Sequence, residues 1–475
     1  MYDIVIIGGG IVGTTLSREL SKYQLKTVLV EKDFDISNET TKANSAIVHA
    51  GYDAKPGTNM AKFNALGNPM FDELCKDLHV PFKRVGSLVC AFSDEEEATL
   101  TVLLERGKKN GIPGLEILSG ERVRELEEKA SPEIVAALYA PTAGIVGPFE
   151  LAIACANNAA ANGVEFKLNS KVVKISKVGE LFEIELESGE KLNSKIVVNA
   201  AGVHSGVINN MVCEDKFDIN PIKGQYYILD KSVGDLASHV MFQCPNPMGK
   251  GVLVSPTVHG NIIVGPDATE ASEIDDFSTT SSELQFVWRR ASMTYPNLPG
   301  NKIITNFAGL RAETSTKDFI VGESKSTPNF FNIAGIKSPG LTAAPAIAVY
   351  ITDLIKEKLK PAKYPHFNPR RTWNEFVTAS KEEQVAMIAK DSRYGNIVCR
   401  CEWVTEGEIV QAIHTYPGAT TVDGVKRRVR PGMGRCQGGF CGPRVVEILA
   451  RELNLSEEEI AKAQKESYII TGDTK

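Results

Sequence analysis

Residues 1–32 read MYDIVIIGGGIVGTTLSRELSKYQLKTVLVEK. Residues 3–7 are a short apolar run rich in Ile and Val, the pattern of a strand buried in a parallel sheet. Three glycines follow, then a helical spacing through Leu16, Leu20 and Tyr23. A second apolar run, residues 27–30, ends at Glu31. This is strand, glycine turn, helix, strand, with G-x-G-x-x-G at Gly8, Gly10 and Gly13. The string alone is weak; the flanking strand and helix, and an acidic residue about 20 positions on, supply the context it requires. Gly8 allows the tight turn, Gly10 lets a pyrophosphate approach the backbone, and Gly13 lets helix pack on strand. The helix N-terminus offers N–H groups and a positive dipole end to phosphates. Glu31 is placed to accept hydrogen bonds from a ribose. A glycine-rich turn in an ordinary α/β protein is the plainer reading, and the context weighs against it.

At 475 residues the chain predicts about three domains, with length enough for a large core. A net charge of −6 implies no polyanion-binding surface overall. The one basic cluster, KRRVR at residues 426–430, reads as a local partner-facing patch rather than a nucleic-acid site. No signal peptide precedes the strand at Asp3, and no apolar run reaches membrane-spanning length. The expectation is a cytoplasmic protein. Of the 9 cysteines, Cys75, Cys90, Cys155, Cys213 and Cys244 are scattered in apolar or mixed stretches and read as inert thiols in a reducing compartment.

Beyond Asp33 a polar turn, SNETTKANSA, leads into IVHAGYD, which holds His49. A lone histidine beside apolar residues is ordinarily structural. Residues 60–78 are helical in pattern, and LVCAF at 88–92 is a strand. DEEE at 94–97 follows Ser93 and reads as a capped, solvated helix start rather than a metal site. Residues 148–162 are helical again, VEFKLNSKVVKIS reads as strands, and KIVVNAAG at 195–202 is a buried strand ending in small residues that let backbone approach a ligand. QYYILD, GVLVSP and NIIVGP alternate as strands of a separate, mainly antiparallel sheet. FAGLRAET and DFIVGE read as a return to the first domain. KSPGLTAAPA then opens a helix with Pro345 in its first turn. The expected organisation is a discontinuous α/β nucleotide domain at 1–80, 145–223 and 300–362, and a second domain at 81–144 and 224–299. A linker at 363–390 overlaps the Pro-rich KPAKYPHFNPRR, and a small, mainly α-helical unit fills 391–475.

That last unit carries Cys399 and Cys401, then Cys436 and Cys441. Two cysteine pairs near turns argue for a four-thiolate metal site, which suits zinc or iron–sulfur alike. The glycines around Cys436 and Cys441 leave backbone N–H groups to bond thiolates or sulfides. A helix beginning near Pro443 points its positive end at the same charge. Disulfides are the third option, disfavoured by compartment.

The first 360 residues or so resemble the D-amino-acid-oxidase-type flavoproteins, and within them the soluble bacterial FAD-dependent glycerol-3-phosphate dehydrogenases and oxidases. The resemblance lies in GGGIVG, TTKANSAIVHAG, IKGQYYIL, GKGVLVSP with NIIVGP, FAGLRAETSTKDFIV and GIKSPGLTAAPAI. It implies a Rossmann-type FAD domain with an inserted substrate domain. The implied FAD contacts are Gly8, Gly10, Ile11, Val12, Gly13, Glu31, Lys32, Thr40, Thr41, Asn44, Ser45, Val173, Ala201, Gly202, Gly309, Arg311, Lys337, Ser338, Pro339, Gly340, Leu341 and Thr342. The tail resembles the bacterioferritin-associated-ferredoxin-like [2Fe-2S] domain often fused behind such dehydrogenases. The stand-alone ferredoxin has two residues between its last two cysteines and this chain has four. The resemblance implies a [2Fe-2S] cluster on Cys399, Cys401, Cys436 and Cys441.

An alcohol carbon yields a hydride only when its hydroxyl proton is removed, which needs a base with a pKa near neutrality. Histidine suits that task, and the resemblance places His49 over the flavin. Lys250 and Arg311 stand at the family's anion-binding positions, an Arg as a planar fork and a Lys as a point charge; solvated surface charge is the plainer fate of each. Ser45, Ser338 and Tyr226 are further substrate contacts. The expected reaction is oxidation of sn-glycerol 3-phosphate to dihydroxyacetone phosphate, with electrons leaving through the cluster to a protein acceptor such as a second flavoprotein. An L-2-hydroxyglutarate or other 2-hydroxy-acid dehydrogenase shares the N-S-x-x-x-H-A-G run. A non-catalytic electron-transfer subunit is the alternative of another class.

Overall fold

The structure is a computed structural model that describes residues 1–245, 251–271 and 273–472. Its centre is the strand Tyr2–Ile7, paired in parallel with Thr27–Val30 on one side and with Lys191–Asn199 on the other. Glu165–Lys167 and Phe330–Ala334 extend the parallel sheet outward. The hairpin Val172–Val178 and Leu181–Leu186 joins the first half of Lys191–Asn199 in antiparallel register, and Ile320–Glu323 joins Phe330–Ala334 likewise. Side chains alternate across the central strand. Ile4 and Ile6 pack under the helices Ile11–Leu20, Pro148–Ala161 and Gly340–Leu359, while Val5 and Ile7 pack with residues of the hairpin. The central strand is buried on both faces, which is why its sequence is a continuous apolar run.

Two glycines set the approach of helix to strand. A Cβ on Gly13 would lie 2.0 Å from the Gly8 carbonyl oxygen. Gly8 has φ +113°, and a Cβ there would lie 2.4 Å from the Ala200 carbonyl oxygen. No other residue fits either position without moving backbone.

The second sheet runs Thr269–Glu270, Asn220–Leu229, Ile262–Gly265, Leu253–Pro256, Val240–Gln243, Ser87–Ala91, Ala136–Ala140 and Glu116–Ser119. It is antiparallel except where Val240–Gln243 meets Ser87–Ala91. Ile303–Glu313 also belongs to it, paired along Asn220–Leu229 from Asn220↔Glu313 to Leu229↔Ile303. FAGLRAET therefore lies in the second sheet, and the chain returns to the first only at Ile320–Glu323. The partner of Ile303–Glu313 lies about 85 residues earlier, beyond the reach of any local pattern. Pro345 also differs from expectation. The helix Gly340–Leu359 starts early enough that Pro345 is inside it rather than in its first turn, where its missing N–H removes one helical hydrogen bond.

The stretch read as linker holds a helix, Lys381–Lys390, started by a Ser380/Glu383 capping box. Beyond it, Glu406–His414, Val422–Val429 and Gly442–Leu453 pack around a separate small core. No helix of the described residues is long and apolar enough to cross a membrane.

The basic run is not a partner-facing patch. Arg427 and Arg428 are buried and both hold Asp35, which is 0% exposed and belongs to the first unit. The distances are 2.9 Å from Arg427 and 2.7 Å from Arg428. Arg430 pairs with Glu402 at 3.0 Å. Lys426–Arg430 reads as a surface charge run because four cations in five residues normally have solvent for their partner; here the partner is a carboxylate nearly 400 positions away. Tyr416 adds to the joint, donating to the Phe166 carbonyl at 2.8 Å.

Burial works to raise the Asp35 carboxyl, and Arg428 and Arg427 overcome it and hold the group below the ordinary carboxylate range. Its stabilisation is therefore complete above about pH 4, the unfolded value, and lost as the pH falls through the lower folded value. Asp35→Asn leaves two buried guanidinium groups uncompensated and is expected to cost about 3–5 kcal/mol. Urea unfolding at neutral pH measures this, with proteolysis between residues 372 and 380 reporting separation of the tail. A loss below about 1 kcal/mol, the range of an exposed pair, would remove the lock.

Candidate functional site

The helix Ile11–Leu20 begins at Gly10, with no side-chain cap on Gly10 and no acidic residue in the first turn, so its positive end is open to an anion. The Ile11 N–H donates to Thr41 Oγ1 at 3.0 Å, which draws the loop at residues 33–41 over the glycine turn. The Glu31 carboxylate accepts from the Gly9 N–H at 2.6 Å and from the Asp33 N–H at 3.0 Å. Burial, with Asp33 beside it, pushes the Glu31 carboxyl up to about 7. Lys32 pairs with Glu39 at 2.7 Å and Asp33 at 3.3 Å. Thr40 Oγ1 donates to the Leu310 carbonyl at 2.7 Å, and Asn44 Nδ2 donates to the Thr40 and Thr41 carbonyls. A Cβ on Gly309 would lie 1.9 Å from the Ala43 carbonyl oxygen, so the two units touch backbone to backbone here. Ala201 and Gly202 follow the strand that flanks Gly8. Ser37 Oγ, Asn38 Nδ2, Asp33 Oδ2 and Glu39 Oε2 are buried without a partner on this same loop. Unpaired polar atoms around an open helix end fit a bound dinucleotide, whose hydroxyl and phosphate groups supply partners. Val173 stands apart, at a register shift between Val172 and Lys174 with its side chain exposed.

His49 follows the two-residue strand Ile47–Val48. Its N–H donates to Thr342 Oγ1 at 2.8 Å, and its carbonyl accepts from Asn64 Nδ2 and Asn68 Nδ2 at 3.0 Å each. Nε2 lies 3.1 Å from Ser338 Oγ. The imidazole stacks on Phe242 with centroids 5.9 Å apart, and both line a cavity with Tyr52, Val89 and Leu103. Ser45 Oγ and Tyr226 OH are 3.4 Å apart, and Tyr226 stacks on Phe307 at 4.8 Å. Arg311 Nη2 donates to the Asp267 carbonyl at 2.6 Å, in space that a Cβ on Gly224 would fill at 2.1 Å. Lys337 is ion-paired with Glu313. Pro339 caps the helix Gly340–Leu359, whose first turn carries Leu341 and Thr342 and no acid. Lys250 lies outside the described residues.

His49, Ser338 and Thr342 are thus brought together, as are Ser45 and Tyr226. Asn64, Asn68, Phe242, Gly224 and Glu313 were missed by the sequence reading. Asn64 and Asn68 were detectable, since two amides four apart on a helix share one face; the others depend on pairing between distant strands.

The five scattered cysteines are buried free thiols, and burial raises each, Cys155 and Cys244 to about 12. The remaining four sulfurs stand two by two. Cys401 Sγ and Cys436 Sγ are 3.9 Å apart. Cys399 is hydrogen-bonded to Cys441, which with N–H donors from Gly432, Glu402 and Cys401 lowers the Cys399 thiol to about 6. N–H groups of Phe440 and Gly438 lower Cys436. Cys441 caps the helix Gly442–Leu453. Four cysteine sulfurs in two close pairs, with backbone N–H donors on them, fit a [2Fe-2S] cluster.

Residues 3–354 match the family described as FAD dependent oxidoreductase, and residues 397–451 match the BFD-like [2Fe-2S] binding domain. A Caloramator mitchellensis protein named glycerol 3-phosphate dehydrogenase is 54% identical over 477 residues, covering 100% of this chain and 99% of its own. The Mycoplasma genitalium glycerol 3-phosphate oxidase is 35% identical over 377 residues, covering 77% of this chain and 97% of its own. Among solved structures, the FAD-bound, dithionite-reduced L-alpha-glycerophosphate oxidase of Mycoplasma pneumoniae superposes with a TM-score of 0.75 at 32% identity, covering 79% of this chain and 99% of its own. The glycine turn with Glu31, the two-sheet architecture and the paired cysteine loops are accounted for together: the chain belongs to the FAD dependent oxidoreductase family and carries a BFD-like [2Fe-2S] binding domain behind it.

Proposed function

We propose that this protein oxidises sn-glycerol 3-phosphate to dihydroxyacetone phosphate and passes the electrons through its iron–sulfur domain to another protein. Two observations combine to support this: the end-to-end likeness to the Caloramator protein of that name, and a histidine held at the cavity by three backbone hydrogen bonds. The chemistry supplied by bound FAD is acceptance of the carbinol hydride, and the [2Fe-2S] centre adds a one-electron outlet.

The chain's own residues do the rest. His49 Nε2 takes the hydroxyl proton. The backbone anchors leave the imidazole only its side-chain torsions, and Ser338 Oγ, 3.1 Å away, holds Nε2 toward the site before substrate arrives. Arg311 binds the phosphate; its bond to the Asp267 carbonyl fixes the guanidinium plane, and Gly224 provides the room. Lys250 is a second phosphate contact on the strength of the family resemblance. Ser45 and Tyr226 orient the substrate. Phe242, Val89 and Leu103 make the cavity wall apolar, which limits water at the reacting carbon. Gly8, Gly10, Gly13, Glu31 and Thr41 hold the nucleotide. The free thiols and the absence of a membrane-crossing helix among the described residues support a cytoplasmic location.

Anaerobic mixing with glycerol 3-phosphate, L-2-hydroxyglutarate, L-lactate and proline in turn tests the substrate. Only the first is expected to bleach the flavin; bleaching by L-2-hydroxyglutarate alone would replace this reading with the hydroxy-acid one, and by none with an electron-transfer subunit. His49→Ala is expected to slow flavin reduction by about 10²–10⁴-fold with a small effect on binding, and a wild-type rate would remove His49 from the chemistry. Arg311→Ala is expected to weaken substrate binding by roughly 2–5 kcal/mol, seen as a raised KM. An unchanged KM would place the anion site elsewhere. Cys436→Ser is expected to abolish the reduced [2Fe-2S] signal in paramagnetic resonance of substrate-reduced protein and to leave bleaching intact; a persisting signal would exclude Cys436 as a ligand.

A further inference from the structure

The four cysteines are not equally covered. Cys399 and Cys441 are 2% and 3% exposed in the small core, while Cys401 is exposed and Cys436 half-buried. A centre held by them has an inner and an outer edge. Part of its surroundings is covered by the second unit, where Arg435 meets Asp230 at 3.2 Å and Glu402 meets Lys231 at 2.9 Å. The rest is bare and aromatic. Phe440, whose N–H bonds the Cys436 sulfur, has a side chain in solvent, the residue being 90% exposed. Trp403, two residues past Cys401, is 62% exposed. It has φ +56°, a left-handed conformation in which a bulky residue is an outlier. Such strain persists only where the surroundings enforce it, and it gathers at binding sites.

Charge points the same way. Of the three arginines in residues 400–403 and 435–444, Arg435 is paired with Asp230 and Arg444 with Glu447 and Glu406, which leaves the exposed Arg400 as the cation of these loops with no ion pair among the described residues. Glu402 is buried and paired with Lys231 and Arg430. Arg400 therefore sets one positive charge next to the exposed Cys401, and the one carboxylate of these loops is turned inward.

We propose that the outer edge of the cysteine centre, framed by Trp403, Phe440 and Arg400, is the docking surface for an acidic protein that carries a one-electron acceptor. This rests on the iron–sulfur outlet of the preceding section. Oxidation of one alcohol releases two electrons and two protons. The centre passes one electron at a time, so two docking events each reduce one partner by one electron, and the protons go to solvent. Trp403 and Phe440 are the anchors that exclude water at contact. Arg400 steers approach, an effect that salt screens.

The test uses full-length holoprotein reduced with dithionite and desalted, so that it does not depend on the substrate. It is mixed anaerobically with oxidised cytochrome b5, an acidic haem protein, and separately with cytochrome c, a basic one. Reduction of cytochrome b5 is expected to be faster at low salt, and to fall about tenfold or more as salt is raised. Arg400→Glu, Trp403→Ser and Phe440→Ser are each expected to lower that rate about tenfold or more while the paramagnetic signal of the reduced cluster and the rate with a small neutral quinone stay unchanged. The salt profile of the wild type reads out even if a variant fails to load its cluster. A faster rate with cytochrome c, or wild-type rates in all three variants, overturns the proposal. So does a concentration-dependent dimer of this chain that the same variants dissolve, since the surface then serves self-association.

Discussion

Everything in this protein is arranged around the crowding of backbone at the end of one strand. Gly13 lies against the Gly8 carbonyl, and Gly8 lies against Ala200, at distances no side chain tolerates. That contact brings the helix Ile11–Leu20 down onto the sheet and aims its N-terminus across the carboxyl ends of the parallel strands, where ligands of open α/β sheets bind. The loop at residues 33–41 closes over the same point through Thr41, and Glu31 is drawn in by the Gly9 N–H. The second sheet reaches the site through several strands, among them those that carry Tyr226, Phe242 and Val89. Ile303–Glu313 passes so close to Ala43 that only Gly309 fits, and two residues on it presents Arg311.

The loop that closes the nucleotide end is also the joint with the iron–sulfur domain. Asp35 stands in it, fully buried, and is held by two arginines from the tail. A buried ion pair is weak evidence for net stability, because desolvation offsets the attraction, but breaking it is costly. Its geometry therefore specifies one arrangement of the two units rather than adding much to their affinity. Lys231 with Glu402 and Asp230 with Arg435 tie the tail to the second sheet as well. The loop at the nucleotide end and the second sheet are both held to the tail by polar contacts, while the cysteine loops stay partly open to solvent.

The sequence by itself determined the elements whose causes are local. The run at Tyr2–Ile7, the glycine turn and the helix after it are dictated by apolar spacing and by where a Cβ is forbidden. Ser93 as a helix cap, the strands after residue 224 and the grouping of Cys399, Cys401, Cys436 and Cys441 are of the same kind. Family resemblance carried the reading further, to FAD, to the cluster and to His49, because motifs summarise contacts that spacing alone does not show.

Only the tertiary structure decided which surfaces meet. Lys426–Arg430 has the composition of a solvated patch, yet Arg427 and Arg428 are buried because a carboxylate 392 and 393 positions earlier lies opposite them. FAGLRAE pairs along Asn220–Leu229 because strand registry is settled by the partner strand, not by the strand's own alternation. The bond from the His49 N–H to Thr342, and the division of the cysteines into a covered pair and an open pair, have no local signature either. Propensity and period act over a few residues; burial, ion pairing and strand registry act between segments that chain folding alone brings together.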